Sequence, residues 1–169
     1  MHEVLYRMGA CDPAIEWATS YGYSYEDAWA ECTRGDWMLW LAYKSGVPNH
    51  KLALAAERCV SGVYGDNIGW TDKIAMDRIR RWCDGVITHD TLMSTLSESN
   101  ISKYLRMTEA ARWAVYTVGS GQCAPHVVSI LSHTADENNH KKILGICAAQ
   151  VRNVIQLELL LGLMHRQPL

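Results

Sequence analysis

The sequence predicts an all-α fold of about seven to nine helices in a single domain that spans residues 1–169. Apolar side chains recur at spacings of three and four residues along most of the chain, and the strict alternation typical of strands is rare. Residues that commonly begin and end helices stand between these segments. The length of 169 residues, with 49% hydrophobic and 20% charged residues, is typical of one globular domain.

The first helices can be placed from their capping residues. Asp12 followed by Pro13 predicts the N-cap and first position of a helix through Trp17. The segment Ser24-Tyr-Glu-Asp27 resembles a capping box, in which two polar side chains each bond to the other's backbone amide. It predicts a helix that ends near Cys32.

The next helix follows the tripeptide Arg34-Gly35-Asp36, which is familiar as an adhesion motif. We interpret the tripeptide as incidental, because such motifs act at exposed loop tips of secreted proteins and no export signal is expected at this N-terminus. Asp36 is instead expected to cap a helix whose core side carries Trp37, Trp40 and Leu41. The alternative is that the two tryptophans form the wall of a partner-binding pocket.

Later helices follow from the same signals. Their predicted starts are Asn49, Thr71–Asp72, Thr88, about Ser102, Ala124–Pro125 and about Asn139. The segment SGVYGDNIGW, with three glycines, is predicted to be a loop. The last helix is expected to run unbroken to Met164.

Charge and cysteine usage limit the classes of function. A formal net charge of −2 provides no long-range field for collecting nucleic acid and no acidic excess for imitating it. The six cysteines have no zinc-knuckle or redox-motif spacing. The most apolar stretch, residues 155–164, is too short and too polar to span a bilayer. We therefore expect a cytoplasmic protein with reduced thiols.

One segment has the spacing of a metal site. On a continuous helix, His133, Asp136, Glu137 and His140 would share one face, and two imidazoles with a carboxylate can bind zinc or iron. Two neighbouring asparagines favour a turn at this point, and no matching motif exists on a second helix. We therefore predict no metal and no cofactor, and keep these residues only as weak candidates.

Cys123 is the cysteine with the strongest case for reactivity. It stands just before a predicted helix N-terminus, which lowers the pKa of a thiol, and His126 follows three residues later. Packing as a small apolar residue is the alternative. No Gly-x-Ser-x-Gly elbow or phosphate-binding loop is present, so no catalytic residue is predicted.

Four residues are predicted to bind a protein partner: Tyr64, Trp70, Arg78 and Arg81. The two aromatic residues lie in the predicted glycine-rich loop, where no helical period would bury them. The arginines lie beside Trp82 and could hold carboxylate or phosphate groups. Their alternative role is to form ion pairs on a solvated helix face.

The linear order of several segments resembles a set of small α-helical proteins from bacteria and phages, some of which are described as immunity proteins of polymorphic-toxin systems. The matching segments are Glu26–Leu41, Leu52–Cys59, Ala75–Trp82, Ala110–Val115 and Ala148–Ile155. The first segment, with EDAW followed by RGDWMLWL, is the most specific. The resemblance implies an all-helical, non-catalytic fold and supplies no active-site residues.

These observations favour a non-enzymatic protein that occludes a protein partner. It would be an immunity protein, or a phage-encoded inhibitor of a bacterial nuclease or defence complex such as an anti-CRISPR. Trp, Tyr and Arg are the residues most enriched among binding hot spots. One alternative is a small cysteine- or metal-dependent hydrolase. The other is a nucleic-acid-binding accessory protein.

Overall fold

A computed structural model describes residues 1–20, 22, 24–98, 108–134 and 137–166 of the chain. In order, these residues form helices α1 (His2–Met8), α2 (Asp12–Ser20), α3 (Tyr25–Glu31), α4 (Gly35–Lys44), α5 (Asn49–Tyr64), α6 (Trp70–Cys83), α7 (His89–Glu98), α8 (Glu109–Gly119), α9 (Ala124–His133), α10 (Glu137–Val154) and α11 (Leu157–Met164). Short 3₁₀ turns occupy Gly65–Asn67 and Gly121–Cys123.

The all-α prediction is confirmed, since the described residues contain helices and no strand. The described helices number 11, which exceeds the predicted seven to nine. One additional helix is α1, which begins without a side-chain cap and so has no capping signal in the sequence. The other arises because the predicted last helix is two helices. The helix predicted from about Ser102 to Val118 corresponds to α8, which begins at Glu109 after its N-cap Thr108, and residues 102–107 of the prediction lie outside the described part of the chain.

Several predicted helix starts are confirmed in atomic detail. Ser24 Oγ accepts a hydrogen bond from the Asp27 amide at 3.1 Å, and the Asp27 carboxylate accepts one from the Ser24 amide at 3.4 Å. Thr88 Oγ1 accepts from the Thr91 amide at 3.1 Å. Pro125 lies in the first turn of α9. Each cap provides a partner for an amide that has none within its helix.

Helix α5 is the central element of the fold and packs against α6, α8, α9 and α10. Its inner face is fully buried and includes Leu52, Ala53, Ala56 and Val60. The facing helices also contribute alanines with no exposed surface, among them Ala111, Ala114 and Ala148. Small side chains let two helix axes approach closely, so these alanines favour short distances between the packed helices. A separate small cluster of Leu5, Ile15 and Ala18 joins α1 and α2.

The predicted orientation of α4 is wrong. The buried residues of this helix include Met38, Leu39 and Ala42, whereas Trp37, Trp40 and Leu41 are only partly buried. Asp36 is not the cap, because the helix already begins at Gly35. At about 100° per residue, the centres of the predicted and observed core faces differ by roughly 150°, so the helix turns almost the opposite face to the core.

The glycine-rich segment is mostly helical. Helix α5 continues to Tyr64, a 3₁₀ turn follows, and α6 begins at Trp70 with Gly69 as its N-cap. Helix α5 ends with Gly65 as its C-cap, and the φ of +53° at this residue is a conformation that favours glycine. The predicted start at Thr71–Asp72 is therefore one residue late, and Asp72 has a different role described below.

The predicted last helix breaks at Ile155 and Gln156. Ile155 is fully buried, and Gln156 has the extended backbone of an N-cap. Within the described residues, no single helix is long and apolar enough to cross a membrane. Residues Asn139–Val154 and Leu157–Met164 meet the length and composition limits only as a pair, and that pair is bent by 76°.

Candidate partner-binding surface

Trp70 and Arg81 lie on one exposed face of α6. They are 11 residues apart, which is close to three full turns, so the two side chains point in similar directions about 16 Å apart along the axis. Trp70 is the first residue of the helix, and 77% of its surface is exposed. Arg81 is also exposed, and its side chain makes no hydrogen bond or ion pair with the described residues.

Other exposed residues extend this surface. Asp77 and Asp84 share the face with Trp70 and Arg81, and all four are exposed. Val86 follows the end of the helix and is 62% exposed, and its amide bonds to the Arg81 carbonyl at 2.8 Å. We call these five residues the α6 face. It has an aromatic residue at one end, an aliphatic residue at the other, and charges of both signs between them.

Tyr64 and Arg78 do not belong to the α6 face. Tyr64 ends α5 and is partly buried against the hydrophobic core. Arg78 is also partly buried, and its Nη1 atom donates a hydrogen bond of 2.8 Å to the Thr95 carbonyl of α7. That bond joins α6 to α7. Of the four predicted partner-binding residues, the structure therefore brings only Trp70 and Arg81 together on an exposed surface.

Arg80, between the two predicted arginines, points inward to a buried carboxylate. Glu57 of α5 has no exposed surface, and its Oε1 atom accepts from Arg80 Nη2 at 2.9 Å and from Ser61 Oγ at 2.7 Å. Arg58 Nε lies 3.5 Å from the other carboxylate oxygen. The hydrogen bond to Glu57 raises the pKa of the Arg80 guanidinium above its usual value. This ion pair fixes α6 against the central helix.

A second buried carboxylate fixes the start of α6. Asp72 is only 2% exposed, and its Oδ1 atom accepts a hydrogen bond of 3.0 Å from the Thr108 amide. Thr108 in turn caps α8 through its hydroxyl, which accepts from the Ala111 amide at 3.3 Å. Neither buried carboxylate was predicted from the sequence. Glu57 could have been found from its place one turn from the apolar residues Ala53 and Val60 in the same helix.

The Arg-Gly-Asp segment has a structural role in the fold. Arg34 forms two hydrogen bonds with the Asp36 carboxylate, at 2.9 and 2.6 Å, and its guanidinium carbon lies 4.2 Å from the centre of the Trp37 ring. Gly35 is buried against α10. A methyl group at Gly35 would lie 2.7 Å from Cys147 Cβ and 2.8 Å from the Ala148 backbone nitrogen. The segment is thus packed at the start of α4 and is not an exposed loop tip.

Trp37 and Trp40 line an apolar cleft between the N-terminal helices, α4 and α11. The cleft has a volume of about 70 Å³, and Trp17, Tyr25 and Trp29 contribute further aromatic surface. Trp17 and Trp37 contact each other with ring centres 6.3 Å apart. Both tryptophans therefore line the wall of a pocket, and the partner-binding role that the alternative interpretation gives to this wall stays a prediction.

Cys123 does not have the environment expected of a reactive thiol. Burial raises the pKa of the Cys123 thiol, which is the opposite of the lowering expected at a helix N-terminus. The ring of His126 lies against Trp113, with centres 4.8 Å apart. Burial also raises the pKa of the Cys32 thiol and raises that of Cys83 to about 12. These shifts favour the unreactive neutral form at neutral pH.

The metal candidates are described only in part. His133 and His140 lie close together, with ring centres 6.0 Å apart. Asp136 lies outside the described residues, and Glu137 begins α10 without a described side chain. The described part of the chain contains no group of three or more His, Cys, Asp or Glu side chains that could hold a metal ion.

Comparison with known proteins adds no assignment to this surface. No family model, no curated protein and no solved structure matches the chain.

Proposed function

We propose that this chain is a non-enzymatic binding protein that occludes a protein partner through the α6 face. The observation that carries the proposal is the 77% exposure of Trp70 at the first position of a helix. A tryptophan left in water forgoes a large hydrophobic stabilisation, which burial against a partner would recover. Arg81 on the same face adds a guanidinium that is available to a partner's carboxylate.

The way α6 is held supports this role. The Glu57–Arg80 ion pair, the Asp72–Thr108 hydrogen bond and the Arg78–Thr95 hydrogen bond join the helix to three neighbours. A surface that is already fixed before binding loses little conformational entropy when a partner binds. This arrangement suits steric inhibition, in which a rigid body covers a functional groove of another protein.

The resemblance of Glu26–Leu41 and later segments to immunity proteins suggests the class of partner. We propose that the partner is a toxin, a nuclease or a defence complex of a bacterial cell, and that the two proteins bind in the cytoplasm. The protein would then be an immunity protein or a phage-encoded inhibitor, with anti-CRISPR proteins as one such class.

The test is affinity capture from a bacterial lysate followed by a mutational comparison. Tagged protein should retain one partner at stoichiometric amount, and Trp70→Ala and Arg81→Ala should each lower its recovery at least tenfold, as expected of hot-spot residues. Tyr6→Ala is the matched control, because Tyr6 is 70% exposed and lies on α1, which packs against α2. It should retain the partner like the unmodified chain.

Two outcomes would reject the proposal. One is a partner retained equally by the Trp70 and Arg81 variants, which would place the interface elsewhere. The other is turnover of a substrate that depends on a thiol or a metal, which would favour the hydrolase alternative. Retention on DNA that persists at moderate salt would instead favour the nucleic-acid-binding alternative.

A further inference from the structure

His133 and His140 contact each other where α9 ends and α10 begins. His133 is the last residue of α9, and His140 lies in the first turn of α10. Their ring centres are 6.0 Å apart and the ring planes are nearly perpendicular, at 88°. His133 is exposed and His140 is partly buried, so water and dissolved ions reach the pair.

Backbone carbonyls fix the tautomer of both rings. His133 Nδ1 lies 2.6 Å from the Ser129 carbonyl oxygen, and His140 Nδ1 lies 3.1 Å from the Ser132 carbonyl oxygen. A carbonyl can only accept a hydrogen bond, so each Nδ1 carries the proton. In the neutral ring, each Nε2 then carries a free lone pair. This is the arrangement in which histidines commonly bind metals, with the second ring nitrogen donating to a carbonyl.

The separation of the rings is near that required to share one ion. Two imidazoles that bind one tetrahedral zinc through nitrogens at about 2.0–2.1 Å have ring centres roughly 5 Å apart. The observed 6.0 Å is about 1 Å longer. Because His133 is exposed at the end of a helix, a small rotation of its side chain can close this difference.

We propose that His133 and His140 form a two-histidine site for a divalent transition-metal ion of the zinc and nickel type. Imidazole nitrogens suit these ions, whereas calcium and magnesium require oxygen ligands. The described residues contribute no third ligand, and water can occupy the remaining coordination positions. The bound ion links the end of α9 to the start of α10 and stabilises the folded chain in proportion to its free concentration.

The test is isothermal titration of the full chain with NiCl₂ and, separately, with ZnCl₂. It uses a Cys11→Ser background, because Cys11 is the one described cysteine that is exposed. One ion should bind per chain, and His133→Ala and His140→Ala should each weaken binding at least tenfold. His126→Ala removes another exposed histidine of α9 and should leave the affinity unchanged. His140→Gln keeps a polar side chain and should behave like His140→Ala.

A second measurement tests the tautomers directly. Long-range ¹H–¹⁵N NMR of the metal-free chain should show both rings protonated on Nδ1, and zinc should shift both Nε2 resonances. Saturable binding that survives both alanine substitutions would overturn the proposal. So would the absence of binding, or rings that are protonated on Nε2.

Discussion

Replacing Arg80 with methionine tests whether the buried ion pair holds α6 in place. Glu57 has no exposed surface, and Arg80 provides the closest cation to its carboxylate, at 2.9 Å. Methionine is similar in length and keeps the apolar contacts of the arginine stem. The substitution removes the guanidinium and leaves Glu57 with Ser61 and the more distant Arg58. The expected result is a marked loss of stability.

The magnitude follows from the burial of the two partners. Removing one partner of a fully buried ion pair costs about 3–5 kcal/mol, because the remaining charge is left without compensation. Here the Arg80 side chain is 37% exposed, and Arg58 remains 3.5 Å from the carboxylate. Solvent screening and this second cation both lower the loss, so we expect about 2–3 kcal/mol.

Urea denaturation followed by circular dichroism measures this loss. The midpoint should fall while the dependence on urea concentration stays the same, since the exposed area on unfolding is unchanged. Arg81→Met is the matched control, because Arg81 is the exposed neighbour, and its effect should stay within about 0.5 kcal/mol. The double variant Glu57→Gln/Arg80→Met should recover part of the lost stability, because it also removes the buried charge.

Two results would refute this reasoning. Arg80→Met could unfold at the same urea concentration as the unmodified chain, which would mean that water or other residues solvate Glu57. The double variant could also be less stable than Arg80→Met. In that case the glutamate would contribute through contacts other than its charge.

Three further predictions concern close packing and buried polar groups. Gly35→Ala should destabilise the chain by about 1–3 kcal/mol in thermal melts, because the added methyl meets α10 at 2.7 Å, whereas Gly145→Ala, with open space, should not. Asp72→Ala should cost about 1–3 kcal/mol by leaving the Thr108 amide unpaired, which Asp72→Asn should partly prevent. Burial raises the pKa of the Cys83 thiol to about 12. The neutral thiol therefore favours the folded chain in full below pH 9, and this stabilisation declines as the pH rises from 9 to 12. At pH 8.5, iodoacetamide should therefore modify the exposed Cys11 well before Cys83, and equal rates would contradict this.

Local signals were enough to predict the helical class and several boundaries. Caps such as Ser24 and Thr88 act through hydrogen bonds from amides three residues away, so their chemistry is complete within a short segment. The fold class follows in the same way from the spacing of apolar residues. These features depend on neighbours in sequence, and the structure confirms them.

Features that depend on distant residues were missed. The orientation of α4 is set by Gly35, which lies against Cys147 and Ala148, more than 100 residues later in the chain. The break at Gln156 has no glycine or proline to mark it. The inward turn of Arg80 depends on Glu57 in another helix. For the same reason, Arg78 and Arg81 were predicted to bind one partner together. Arg78 instead bonds to α7, whereas Arg81 is exposed.

The distribution of tryptophans explains why Trp70 is the residue to test for partner binding. Trp29 is buried at 8% exposure, while Trp17, Trp37, Trp40, Trp82 and Trp113 are partly buried. Alanines, leucines and valines fill the centre, so the large rings lie at the edge of the core, where one side is covered and the polar nitrogen can reach water. Trp70 alone among the seven is mostly exposed, at 77%. Contacts within the folded chain cover at least part of the other six rings, in the core or along the apolar cleft. Trp70 has most of its surface in water, at the start of a firmly held helix, so its replacement by alanine is the sharpest test of the proposed partner-binding role.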